Sequence, residues 1–163
     1  MLVCIMFTPS ILMIEGKNMR IWKVKWFDEL TTAELYEILR SRAEIFVVEQ
    51  ECVYQDLDGR DAEALHVFCE EEGRVTACLR AFMKDEETAQ MGRVLTLRHG
   101  TGLGGELLKR GIRAIREKLQ PKQIYIEAQC YAAGFYGREG FQVCSEPFME
   151  DGIPHVQMCL RLP

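Results

Sequence analysis

The chain has 163 residues, enough for one domain with a single core, and its 48% hydrophobic and 28% charged residues are the mix of an ordinary soluble globular protein. Its 20 lysines and arginines against 25 aspartates and glutamates leave a net charge of −5, which argues against the basic surplus of a nucleic-acid binder. The densest basic runs, RSR near 40 and LKRGIRAIREK near 110, interleave with apolar positions at helical spacing and read as solvated helix faces.

In chain order, MLVCIMFTPSILMI comes first. It lacks a positive leading region, contains Pro9, runs into Glu15 instead of a small-residue cleavage site, and is too short to span a bilayer. Residues 1–18 therefore read as an accessory extension outside the fold, and 19–163 as a single domain. IWKVKWF (21–27) alternates like a strand. Thr31 with Glu34 three places on is a capping-box signature, and Leu35, Ile38, Leu39, Arg42 and Phe46 carry the helix to about Phe46.

CVYQDLDGRDAEA (52–64) is a polar loop with the turn signal Asp58-Gly59. Asp56, Asp58 and Asp61 lack the spacing of a calcium loop, so the stretch reads as a charged, hydrogen-bonded loop that can also line an acceptor entrance and attract a cation. LHVFCEE, the tight turn Glu72-Gly73 and RVTACLRAF form a hairpin, and AQMGRVLTL (89–97) adds a third strand.

After a glycine-rich loop, Leu103, Leu107, Leu108, Gly111, Ile112, Ile115 and Leu119 mark one apolar helix stripe that Pro121 ends. QIYIEAQ (123–129) is a buried strand, YAAGFYGRE a short helix, GFQVCS the start of a strand, and HVQMCLRL (155–162) the closing strand. The order predicts an α+β fold: a mixed, mostly antiparallel sheet with helices on its faces.

The seven cysteines form an odd set with no CxxC pair and no zinc spacing. Cys69, Cys78, Cys130 and Cys159 lie in or beside strands, where a thiol acts as a small hydrophobe. A reduced, cytoplasmic setting and no metal are expected.

RHGTGLGGELLKR (98–110) places Gly100, Gly102, Gly104 and Gly105 at a helix entrance, where bare N–H groups and the helix dipole suit a phosphate. Gly100, Gly102 and Gly105 match the dinucleotide fingerprint, with Glu127 about 20 residues on. The preceding strands are hairpin-connected, however, and too little chain follows for a second mononucleotide half. A nicotinamide-dependent oxidoreductase is thus a remote third function. No Gly-Lys-Ser/Thr follows, which excludes a Walker loop. A ligand-free glycine turn would not need four glycines. Coenzyme A needs a helix N-terminus for its diphosphate and a strand edge for its pantetheine arm, and VLTL-RHGTGLGGELL offers both.

Here the sequence resembles the GNAT acyltransferases, whose loop follows Gln/Arg-x-x-Gly-x-Gly/Ala. Aligned on Gly102-Leu103-Gly104, the Gln/Arg position falls on His99 with Arg98 before it, and the link from Arg93-Val94 is about two residues short. AAGFYGREGF (132–141) is similar to the family's Ala-x-x-Phe-Tyr-x-x-x-Gly-Phe segment. IFVVEQECVYQDLDGRD (45–61), EAQ (127–129) and EDGIPH (150–155) resemble the ElaA-like subfamily, with Val53 where proline is usual.

The resemblance covers residues 21 to 162. It implies a GNAT-type sheet with a β-loop-α-β core that binds acetyl-CoA through Leu95, Thr96, Leu97, Arg98, His99, Gly100, Thr101, Gly102, Leu103, Gly104, Gly105 and Tyr136. It also implies acetyl transfer to a primary amine on a small molecule or peptide. A non-catalytic acyl-CoA sensor is the alternative. Nucleic acid and membrane are not expected as partners, and the oligomeric state, homodimer included, is open.

Such a transfer needs a deprotonated amine, since an ammonium near ~10.4 cannot attack. It also needs a donor for the carbonyl oxygen, for which a main-chain N–H of Leu95–Leu97 is the candidate, and a proton for the leaving thiolate. Tyr136 is the candidate acid. For the base the order is Glu127, where loss of solvent would strengthen a carboxylate base, then His66 and His155, with Glu49 a fourth option and ordered water another route.

Overall fold

The computed structural model describes residues 19–51 and 53–163, so the extension expected at residues 1–18 lies outside the described residues. Alternating IWKVKW forms β1 (Ile21–Trp26), an edge strand antiparallel to β2 (Leu65–Glu71). The capping box closes as expected: Thr31 Oγ1 accepts from the Glu34 N–H at 3.1 Å, and Glu34 Oε2 accepts from the Thr31 N–H at 2.9 Å. Glu34 also receives Lys23 and Lys25 from β1, at 2.9 and 2.8 Å, tying the entrance of α1 (Thr32–Arg42) to the sheet. Burial opposes its charge, but these donors hold its carboxyl down at about 2.

The first helix departs from expectation in two ways. Its α-helical part ends at Arg42 and continues as a π-helical stretch, Ala43–Glu49, closed by a Gln50 N–H bond to the Ile45 carbonyl at 3.0 Å. Its buried face carries Glu34, Ser41 and Arg42 beside Ile38, so it is less apolar than its leucines suggested.

Glu72 and Gly73, with φ of 51° and 77°, make the tight turn from β2 to β3 (Arg74–Met83), and β4 (Thr88–Thr96) extends the antiparallel run. β5 (Gln123–Gln129) is parallel to β4 and pairs only from Thr88–Gln90 to Gln123–Tyr125. Beyond that the two strands splay. β6 (Gln142–Val143), β7 (Phe148–Glu150) and β8 (Ile153–Arg161) complete a sheet ordered β1-β2-β3-β4-β5-β8-β6, with β7 beside β8.

α2 (Leu103–Lys118) covers one face, burying Leu103, Leu107, Leu108, Ala114 and Ile115 against Leu65, Val67, Leu79 and Ile124. α1 covers the other, where Ile38 and Ile45 meet Phe68, Val75, Cys78 and Leu95. The short α3 (Ala133–Gly137) follows β5. Among the described residues no helix is long and apolar enough to cross a membrane.

Candidate active site

Where β4 and β5 part, a cleft of about 990 Å³ opens, bordered by the glycine loop and by the β7–β8 turn. β4 bends into it at a bulge: Cys78 faces Leu95 but Arg80 faces Gly92, so Leu79 opposes both Arg93 and Val94. Arg93 takes a φ of 55°, unusual for a side-chain-bearing residue.

Past the bulge, strand geometry sorts the amides. Leu97 donates its N–H to the Thr76 carbonyl at 2.8 Å, so Leu97 is not the free donor the sequence offered. N–H groups alternate between strand edges, so the Leu95 amide also faces β3 and the Thr96 amide points into the splay. Thr96 is the donor of the three that is left open.

At the loop, Gly100 and Gly102 adopt φ of 72° and 78°, and Gly102 caps α2 with no side-chain bond. The first helical bond back is from the Glu106 N–H to the Gly102 carbonyl, 3.1 Å, so the N–H groups of Leu103, Gly104 and Gly105 have no intrahelical acceptor. A Cβ on Gly104 would sit 3.5 Å from the Phe135 ring, so α3 packs directly against the helix entrance. Both basic side chains of the loop are engaged. Arg98 pairs with buried Glu71 at 2.9 Å, and His99 with Glu49 at 3.3 Å. Of the expected binding residues, all border the cleft except Leu97.

Tyr136, on α3, borders the cleft with its ring edge-on to Phe135 and Phe141, at centroid distances of 5.1 and 5.9 Å. Burial, with a smaller contribution from Tyr131, raises its phenol above the ordinary value near 10, so it keeps its proton at neutral pH. Glu127 also borders the cleft, but it stands exposed and accepts a bond from the Tyr125 hydroxyl at 2.8 Å. The solvent loss expected there is absent.

His66 is not brought to the cleft. It is buried on the α1 face at 2% exposure, 3.0 Å from the Asp61 carbonyl through Nε2, and burial lowers its pKa. His155 does reach the cleft, stacked on Phe148 and 3.8 Å from Glu150.

The aspartate loop borders the cleft through Tyr54, Asp58 and Arg60, and its carboxylates are engaged by arginines. Arg42, at 1% exposure, pairs with Asp61 at 2.5 Å and Asp56 at 2.9 Å, and Arg80 with Asp58 and, at 3.0 Å, Asp61. Arg93 pairs with Asp56 at 2.7 Å and Asp58 at 3.3 Å, and the Tyr54 hydroxyl donates to Asp56 at 3.0 Å. Burial works against the Asp61 carboxylate, but Arg42 and Arg80 outweigh it and hold its pKa down. Arg80 likewise holds the Asp58 carboxyl below its ordinary value. Three carboxylates answer three arginines, and the loop is clamped to α1, β3 and the β4 bulge. The charged loop is legible in the sequence but its partners are not: Arg42 stands in the RSR run that reads as a solvated face, and Arg80 and Arg93 in strand-patterned stretches.

Cleft, bulge and uncapped helix entrance agree with the likeness to known proteins. Residues 32–162 match the acetyltransferase (GNAT) domain model. The chain belongs to the GNAT family. Within it, the domain is 38% identical over 139 residues to a UPF0039 protein of Mycobacterium tuberculosis, covering 82% of this chain and 88% of that one. The crystal structure of an acyl-CoA N-acyltransferase from Pseudomonas aeruginosa superposes with a TM-score of 0.82 at 35% identity, covering 86% of this chain and 99% of that one. Escherichia coli ElaA gives the same TM-score and coverage at 31% identity, so the GNAT domain is ElaA-like. The mixed sheet expected of this family is the sheet observed.

Proposed function

We propose that the chain transfers an acetyl group from acetyl-CoA to a primary amine by direct attack. One observation carries this reading: the bare amides of Leu103–Gly105, the open Thr96 amide and the Tyr136 phenol share a single cleft. The helix entrance suits the diphosphate, with the dipole adding to the unpaired N–H groups. The β4 edge left by the splay suits the amide-bearing pantetheine arm. The relative named as an acyl-CoA N-acyltransferase supports an acyl-CoA donor and a nitrogen acceptor.

In this mechanism Glu127 takes a proton from the acceptor ammonium, directly or through water, with His155 the second group in reach of the cleft. His66, buried behind the sheet, has no part. The free amine attacks the thioester carbon, and the Thr96 N–H donates to the carbonyl oxygen as it gains charge. The tetrahedral intermediate collapses, the C–S bond breaks, Tyr136 gives its proton to the departing sulfur, and the surplus proton on the new amide nitrogen returns to the phenolate through water.

A screen of primary amines with acetyl-CoA, read as release of free thiol, tests the proposal. Turnover of at least one amine class above the hydrolysis background is expected. Tight acetyl-CoA binding with no turnover on any amine would make the protein a sensor instead.

A further inference from the structure

Two thiols unused by the cleft lie against each other at the far edge of the sheet. Cys144 directly follows β6 and Cys159 stands in β8 opposite Gln142, so the register makes them diagonal neighbours on one face. Their Sγ atoms are 3.1 Å apart and both cysteines are free. Among the described residues no other cysteine pair is joined by a hydrogen bond.

The backbone holds this pair in register. The Cys144 N–H donates to the Gln157 carbonyl at 2.9 Å, and the Gln157 N–H donates to Ser145 Oγ at 2.9 Å. Their surroundings differ. Cys144 is exposed, whereas burial, and then the contact with Cys144, push the Cys159 thiol up to about 11. The other strand cysteines are unlike this pair: Cys69 and Cys78 are buried in the core and lack a neighbouring thiol among the described residues.

We propose that Cys144 and Cys159 are an oxidisable dithiol, a modification site for hydroperoxides that closes to a disulfide. The exposed Cys144 reacts first. Its thiolate attacks the terminal oxygen of a hydroperoxide, the O–O bond breaks, and the departing alkoxide takes the proton that the thiol gave up, leaving Cys144 as a sulfenic acid. The Cys159 sulfur then attacks the sulfenic sulfur. The S–S bond forms, the S–O bond breaks, and the hydroxyl leaves as water with the Cys159 proton.

Two thiols thus lose two electrons in all, and one hydroperoxide is reduced to an alcohol and water. Closure needs the sulfurs to approach by about 1 Å, to the ~2 Å of a disulfide. β6 is only two residues long and lies at the sheet edge, so little structure opposes that shift. The closed loop would enclose β7 and the Asp151-Gly152 turn and would carry His155.

The test uses the fully reduced, full-length protein, treated with hydrogen peroxide, alkylated and digested without reductant for peptide mass mapping. The expected product is a linked peptide pair containing Cys144 and Cys159, two hydrogens lighter than its parts and separated by dithiothreitol. Cys159→Ala should trap Cys144 as a sulfenic acid that dimedone labels, and Cys144→Ser should leave Cys159 unmodified. The oxidised wild-type protein should melt at a higher temperature than the reduced one. Conversion of Cys144 to a sulfinic acid with Cys159 free, or disulfides shared evenly among other cysteines, would overturn the proposal.

Discussion

Arg93 holds a backbone conformation that costs an ordinary residue about 1–2 kcal/mol, and it does so beside the strand edge proposed to bind the thioester. Asp56 and Asp58 explain why it stays there: both pair with its guanidinium, and the Asp56 carbonyl accepts from it at 2.9 Å. Since Asp56 also serves buried Arg42, Asp56→Asn removes one partner from two arginines at once. Breaking a buried pair costs about 3 kcal/mol, more than the strain it offsets, so the variant should lose roughly that much stability in urea unfolding. An unchanged midpoint would show that the network does not hold the bulge. Tyr136 is a cleaner probe of chemistry, because its hydroxyl has no hydrogen-bond partner among the described residues. Tyr136→Phe should lower turnover about 100-fold and leave acetyl-CoA affinity unchanged. Equal turnover would remove Tyr136 as the acid.

At the level of elements, α2 is the part whose pattern speaks most plainly. Its stripe, its glycine entrance and its stop at Pro121 are all readable, and the helix forms as Leu103–Lys118. Gly111 within it has a reason the stripe does not give: a Cβ there would lie 2.5 Å from a methyl of Leu79, itself 1% exposed. Gly111→Ala gains up to about 1 kcal/mol of helix propensity but overpacks the α2–β3 contact by about 1–3 kcal/mol. A net loss of about 1 kcal/mol in thermal or urea unfolding is expected. A stabilised variant would mean that Leu79 yields freely.

α1 was less legible. Its apolar spacing continues through the π-helical stretch, because periodicity cannot register one wider turn, and its buried Arg42 looks like a solvated position until the aspartate loop is folded onto it. Glu127 misled for a related reason: it sits in an apolar strand, yet the splay that makes the cleft also bares it to solvent. His66 went the other way, a strand-start histidine that the packing of Phe27 and the Asp61 carbonyl turns into a core residue.

Across the whole molecule, the charge network sets a pH window. Glu34, Asp58 and Asp61 have pKa values below their ordinary ones, so the unfolded chain takes up their protons first as the pH falls. Their contribution is whole above about pH 4.5 and is lost as acidification proceeds toward their folded values. Buried His66, lowered from 6.5, begins a gentler loss below that pH. Lys23, raised from 10.5 by Glu70 and Glu34, loses its contribution only above that value. The urea midpoint should therefore be flat from about pH 7 to 8, sag below 6.5, fall steeply below 4.5, and decline above about pH 9, where Cys69, Cys78 and Cys159, all raised from 9.0 by burial, ionise first in the unfolded chain. A midpoint that holds steady down to pH 3 would contradict the network's role. Whether main-chain amides from Leu103 to Gly105 grip the diphosphate end of an acyl-CoA is read by calorimetric titration with acetyl-CoA and with S-acetylpantetheine, which lacks the diphosphate and the 3′-phosphoadenosine beyond it. Saturable binding of the first and at least about 100-fold weaker binding of the second is the predicted result, since charge-assisted contacts to several amides are lost. Equal affinity for the two, or no binding of acetyl-CoA, would contradict it.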